Sequence, residues 1–291
     1  MARDPRGLLR DAGLRPKKSF GQNFLIADPI ARSIAIACVP DDEVGRARVV
    51  EIGAGTGVLT WHLAERARTL VAIERDRDLV PVLERELASS GARVLEADAQ
   101  SVALSPLLGA EDPQSPRVLC GNLPYAITGP LLRRAVEHAS CVERVVFMVQ
   151  REVADRLAAT PGTKSWGALT VFVRAAYDVR RVLRVPPSAF HPPPEVTSAL
   201  VELVPVRPPR ATETETFRAL VRCAFAARRK MLRNAWAGLA PDAVMLERAA
   251  AKSGIALQAR GETLDVAAFA QMAQALDSAD LENASKAIER Q

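Results

Sequence analysis

Through the first half of the chain, short apolar runs alternate with polar, helix-compatible stretches. Arg48-Val49-Val50-Glu51-Ile52 reads as a short buried strand. Gly53-Ala54-Gly55-Thr56-Gly57 follows at once, with a helix starting near Val58. Leu70-Val71-Ala72-Ile73 is a second strand ending at Glu74, and residues 76–89 carry a helical pattern. Arg93-Val94-Leu95-Glu96 is a third, ending near Asp98. Residues 117–121 form a fourth, ending at Asn122, and Arg144 to Val149 a fifth, after a helical stretch over 128–138. Upstream, Asp28-Pro29 reads as an N-cap and first-turn proline opening a helix through about Cys38. Strands alternating with helices predict an α/β fold, a mostly parallel Rossmann-like sheet covered on both faces.

Arg207-Pro208-Pro209-Arg210 interrupts both periods and reads as a linker. Beyond it the pattern is helical only, from about Glu213 to Ala275. The expected organisation is an α/β domain over 1–206 and a small all-helical domain over 207–291. The last sixteen residues are polar and are expected to fray.

Composition narrows the class. With 48% hydrophobic and 25% charged residues among 291, the chain is globular, not disordered. Its four cysteines (Cys38, Cys120, Cys141, Cys223) are scattered, and its three histidines stand at no zinc-ligand spacing. Reduced thiols and no metal are expected. The basic N-terminus lacks an apolar signal core, and no apolar run reaches the roughly 18 residues a bilayer span requires. A cytoplasmic protein without a membrane partner is expected.

The net charge is +5, and its placement says more than its size. Arg3, Arg6, Arg10, Arg15, Lys17 and Lys18 fall in residues 1–24 against Asp4 and Asp11. Arg218, Arg222, Arg228, Arg229, Lys230 and Arg233 fall in 218–233 with no acid among them. Two such clusters fit a polyanionic partner, and equally fit two solvated helix faces.

A glycine-rich turn between strand and helix lets a ligand approach the backbone. Gly53, Gly55 and Gly57 have Gly-x-Gly-x-Gly spacing, one residue tighter than the nicotinamide fingerprint. Glu74, ending the next strand, suits a carboxylate that accepts from both hydroxyls of a ribose, in a dinucleotide or in S-adenosylmethionine. Asp98, ending the third, suits acceptance from an adenine amine, and equally a helix cap. All three stand at the carboxyl edge of the sheet, where ligands of open α/β sheets lie.

The sharpest motif is Asn122-Leu123-Pro124-Tyr125 at the end of the fourth strand. An adenine amino group is a poor nucleophile because its lone pair is delocalised into the ring. The Asn122 carboxamide oxygen and the Leu123 carbonyl can accept from both of its hydrogens. Pro124 restricts Leu123 to extended backbone and so aims that carbonyl outward. Tyr125 offers a flat face to an extruded base. A methyl acceptor of this kind needs positioning and electrostatics more than a base.

On these residues the chain resembles the small-subunit ribosomal RNA adenine dimethyltransferases, the KsgA (RsmA) family. The resemblance runs from about Arg15 to about Met272. It takes in Lys17-Lys18-Ser19-Phe20-Gly21-Gln22-Asn23-Phe24-Leu25, Glu51 to Gly57, and Asn122 to Tyr125. Further along it takes in Phe147 to Val153, Pro186 to Ser198, and Arg228 to Asn234. It implies a class I S-adenosylmethionine-dependent methyltransferase fold with a C-terminal helical domain that binds RNA. By the same resemblance Asn23, Leu25, Gly53, Gly55, Glu74, Asp98 and Asn122 contact S-adenosyl-L-methionine, and the segment carrying Asn23 and Leu25 covers it. The catalytic set is Asn122, Leu123, Pro124 and Tyr125, with Phe190 stacking on the target adenine opposite Tyr125. Read alone, an aromatic among prolines such as Phe190 more often packs a loop onto the core. The implied substrate is a pair of adjacent adenosines in the 3′-terminal hairpin of 16S RNA, each dimethylated at N6 within an assembling 30S subunit. A monomer is expected. Ala54 stands where the family often has proline, and Ala126 where a polar residue is common. The competing readings are a macrolide-resistance type of large-subunit methyltransferase, a ribosome-assembly factor with secondary catalysis, and a nicotinamide-dependent oxidoreductase.

Overall fold

A computed structural model describes residues 4–109 and 114–288, with side chains to residue 278. Nine strands are present in these residues: β1 Phe24–Leu25, β2 Arg48–Ile52, β3 Thr69–Glu74, β4 Arg93–Glu96, β5 Arg117–Asn122, β6 Arg144–Gln150, β7 Tyr177–Val185, β8 Phe190–His191 and β9 Ser198–Pro205. Seven form one sheet in the order β4-β3-β2-β5-β6-β9-β7. The five strands expected from sequence are parallel to one another, and β9 joins antiparallel to β6, with Ser198 opposite Gln150. β1 and β8 make a separate antiparallel ribbon in which Leu25 faces Phe190.

The inner strands are near-continuous apolar runs because helices cover both faces. Val49, Val50, Val118, Leu119, Val145 and Val146 are all at most 1% exposed. One covering helix, Asp28–Cys38, begins where expected, but its cap does not. Ala27 is the N-cap and makes no side-chain cap bond. The Asp28 carboxylate instead meets His62 Nε2 at 2.8 Å, on the neighbouring helix Val58–Ala64. A tertiary partner has taken the capping group. Strands β7 and β9 lie beyond the five strands read from the sequence; β7 carries Asp178, Arg180, Arg181 and Arg184 on exposed positions.

The chain divides into two compact units, residues 1–154 with 178–205, and residues 155–177 with 206–291. One division falls between Pro205 and Val206, and 155–177 groups with the second unit and not with the α/β one. The reason is its apolar face. Trp166, Val171, Phe172 and Ala175 are buried in one cluster with Phe217, Trp236 and Phe269 of the C-terminal helices. Phe172 meets Phe217 edge-on at 6.1 Å, and Trp236 meets Phe269 likewise at 6.2 Å. Both buried indoles keep a partner: Trp166 Nε1 donates to the Leu264 carbonyl and Trp236 Nε1 to that of Leu220, each at 3.0 Å. Two helices of this unit are capped by side chains, Thr214 and Asp242 accepting from Phe217 N and Met245 N. The final helix runs from Val266 to Ile288, so residues expected to fray continue as helix; 289–291 lie outside the described residues.

Candidate active site

At the carboxyl edge of the parallel strands one cavity gathers nine of the eleven residues singled out from sequence. Asn23, Gly53, Gly55, Glu74, Asp98, Asn122, Leu123, Pro124 and Tyr125 all line it. The glycine turn sits between β2 and the helix Val58–Ala64 in left-handed backbone, with φ of +58° at Gly55 and +82° at Gly57. A Cβ at Gly57 would lie 2.8 Å from Leu83 Cδ1, and one at Gly55 would lie 3.0 Å from the Phe24 ring. Side chains are excluded there on both backbone and steric grounds.

Glu74 ends β3 nearly buried. Its Oε2 accepts from Gly55 N, and its Oε1 from Arg75 N and Asp76 N, all at 2.8 Å. Burial pushes its pKa up, and these three bonds oppose that shift. The carboxylate thus ties the glycine turn to the end of β3, and Oε2 keeps a lone pair for a ligand hydroxyl. Asp98 also lines the cavity. Its Oδ1 accepts from Gln100 N at 2.9 Å as a turn cap, while Oδ2 lies 3.4 Å from the Arg75 guanidinium on the cavity wall.

Asn122 ends β5, and its Nδ2 donates to the Asn23 carbonyl at 3.0 Å. That bond orients the amide, leaving Oδ1 without a partner among the described residues. The Leu123 carbonyl accepts from none of them either, while Leu123 N donates to Met148 O at 3.1 Å. Tyr125 hydrogen-bonds through its hydroxyl to Ser198 Oγ at 2.8 Å, and Ser198 is fully buried. Burial raises the phenol pKa, with the Ser198 bond acting the other way. The pairing of Ser198 with Tyr125 had no sequence signal, since the two lie 73 residues apart.

Two expected site residues fall elsewhere. Leu25 lines a small adjoining recess with Glu51 and Thr56. Phe190 is 2% exposed and packs in the core with Leu25, Val185 and Ala189. It is not among the residues that line the cavity. In the basic cluster, Arg228 is not free: it pairs with Glu262 at 2.7 Å. Residues 228–230 form a turn between the helices Glu215–Ala226 and Leu232–Ala235, not a helix. Arg222, Arg229 and Lys230 are exposed. Arg3 lies outside the described residues. Among the described residues no cluster of three or more His, Cys, Asp or Glu suits a metal ion. None of their helices is long and apolar enough to cross a membrane.

A sheet of this order, with glycine turn, β3 acid and β5 carboxamide at one edge, defines a class I S-adenosylmethionine-dependent methyltransferase. The chemistry of the wall fits that cofactor: backbone open at the glycines, and carboxylates at Glu74 and Asp98 able to accept from hydroxyl and amino groups. Residues 13–278 match the family described as Ribosomal RNA adenine dimethylase, and the chain belongs to that family. It is 43% identical over 270 residues to the Ribosomal RNA small subunit methyltransferase A of Magnetococcus marinus, covering 91% of this chain and 94% of that one. To the protein of the same name from Anaeromyxobacter sp. (strain K) it is 43% identical over 282 residues, covering 94% and 97%. Its fold is similar to that of a dimethyladenosine transferase from Plasmodium falciparum, with a TM-score of 0.68 at 24% identity over 86% of this chain and 95% of that one.

Proposed function

We propose that the protein uses S-adenosylmethionine to dimethylate N6 of two adjacent adenosines in the 3′-terminal hairpin of 16S ribosomal RNA, within an assembling small subunit. The family description supports the adenine and the double methylation, and the shared name of the relatives supports the small subunit. Such a substrate belongs to the cytoplasm. The observation that carries the chemistry is the pair of unpartnered acceptors, Asn122 Oδ1 and the Leu123 carbonyl, on the wall that also holds the glycine turn.

The bound cofactor supplies a methyl group activated by its sulfonium. The chain's own residues supply the geometry. Anchored on the Asn23 carbonyl, the Asn122 amide presents oxygen, not nitrogen, to an incoming amine. Two acceptors match the two N–H groups of the adenine amine and draw its lone pair out of conjugation. Both are preorganised by β5 and by Pro124, so little reorganisation accompanies the reaction. Asn122, Leu123 and Pro124 carry no titratable group, and a Tyr125 phenol raised by burial stays protonated near neutral pH. The amine therefore sheds its proton to solvent after it gains positive charge. Held by Ser198, the Tyr125 ring acts as a fixed stacking face. In the helical unit, exposed Arg222, Arg229 and Lys230 supply a phosphate grip.

The test is transfer of labelled methyl groups to undermethylated small subunits, with nucleoside mapping of both ribosomal RNAs. Label is expected in N6,N6-dimethyladenosine of the small-subunit RNA. Label confined to large-subunit RNA, or to neither, refutes the reading.

A further inference from the structure

One wall of the cofactor cavity is the segment Ser19 to Phe24, and it is held from outside the reacting centre. Asp76, on the turn after β3, is only 2% exposed. Its Oδ1 receives Lys17 Nζ at 2.5 Å and Asp78 N at 3.1 Å, and its Oδ2 receives Gln22 Nε2 at 2.7 Å. Lys17 Nζ also meets Asp78 Oδ2 at 2.6 Å. Lys17 N donates to Gln22 Oε1 at 2.7 Å, so the two strap residues grip each other as well as the acid. Burial works to raise the Asp76 pKa, yet the bonds from Lys17 and Gln22 outweigh it and hold the carboxylate below its usual range.

The cluster reaches the cofactor residues from both sides. Asp76 N donates to Glu74 Oε1 at 2.8 Å. Within the closed loop Phe20 faces the cavity, with Lys17 Nζ 5.4 Å and the Arg75 guanidinium 5.6 Å from its ring centroid. One residue past Gln22, Asn23 gives its carbonyl to Asn122. The strap is thus pinned at the Asp76 end beside the ribose acid and at the Asn122 end beside the reacting centre.

We propose that Asp76, gripping Lys17 and Gln22, is a positioning residue that latches this strap over the cofactor, so that the latch sets cofactor affinity and not the methyl-transfer rate. The inference rests on the cavity being the S-adenosylmethionine site. Binding closes a wall that already exists, and losing the latch makes the cofactor order the strap as it binds.

The experiment compares the full chain with Asp76→Asn, Lys17→Met and Lys17→Arg. Calorimetry gives the Kd for S-adenosylmethionine, saturating assays give kcat, and limited trypsin digestion without cofactor reads cleavage after Lys18. Asp76→Asn and Lys17→Met should each raise Kd at least tenfold, leave kcat at saturation within about twofold, and speed cleavage after Lys18. Lys17→Arg should restore most of the affinity. Lys17 is about a third exposed, so its replacement decides the matter if the Asp76 variant does not fold. Folded variants that bind as tightly as the parent, or that lose kcat at unchanged Kd, overturn the latch alone. A parent chain with no affinity for S-adenosylmethionine overturns the site assignment with it.

Discussion

Replacing Glu51 by glutamine isolates the electrostatic cost of a single buried acid. Glu51 stands on β2, two residues before the glycine turn, with 1% exposure. Its Oε2 finds no hydrogen-bond partner among the described groups, and the Thr60 hydroxyl, which lies near enough to oppose the shift, is itself outside ordinary bonding geometry. Burial is the main reason its pKa is pushed up to about 8 from 4.5, with the Glu74 charge adding to the effect. Below pH 4.5 both folded and unfolded chains hold the proton, and the group contributes nothing. As pH rises above that value the unfolded chain releases its proton while the fold retains it, so stability falls until the folded pKa is passed. At about 1.4 kcal/mol per pKa unit, the full interval amounts to roughly 5 kcal/mol. Glu51→Gln has no such proton. Its stability relative to the parent should therefore improve by about 1 kcal/mol or more per pH unit between roughly pH 5.5 and 7.5, whatever the constant offset. Urea unfolding followed by circular dichroism at several pH values in that range measures it. Parallel profiles for the two proteins would mean that Glu51 is ionised in the fold, and the argument would be wrong.

Three further outcomes follow from the site and the two cores. Asn122→Ala should keep the fold and lower methyl transfer by about 10²–10³, the usual effect of deleting one preorganised hydrogen-bonding group; near-normal turnover with equal thermal stability contradicts the mechanism. Phe190→Ala should destabilise the protein by about 3–5 kcal/mol, since its ring is core; denaturant midpoints that do not move, with transfer lost, would return the residue to a stacking role. Neutralising Arg229 and Lys230 should flatten the salt dependence of RNA binding by about 0.7–0.9 for each phosphate no longer neutralised, read from the slope of log K against log salt; an unchanged slope assigns the phosphate grip elsewhere.

Local features of this protein were legible in one dimension. Strands β2, β3, β5 and β6 announce themselves as apolar runs because their inner positions are buried, and the C-terminal residues of β2 to β6 share one edge because the strands are parallel. That rule alone brings Gly53, Glu74, Asp98 and Asn122 to one cavity. What tertiary packing decided are contacts with no spacing to betray them. The Asn122 amide is oriented by a carbonyl 99 residues away, and Asp76 meets Lys17 across 59. Phe190 and the segment 155–177 were ambiguous because an apolar side chain shows that it will be buried but not against what. Glu51 carries the same lesson for charge: a carboxyl's pKa depends on the solvent it loses, which is a property of the assembled core and not of its neighbours along the chain.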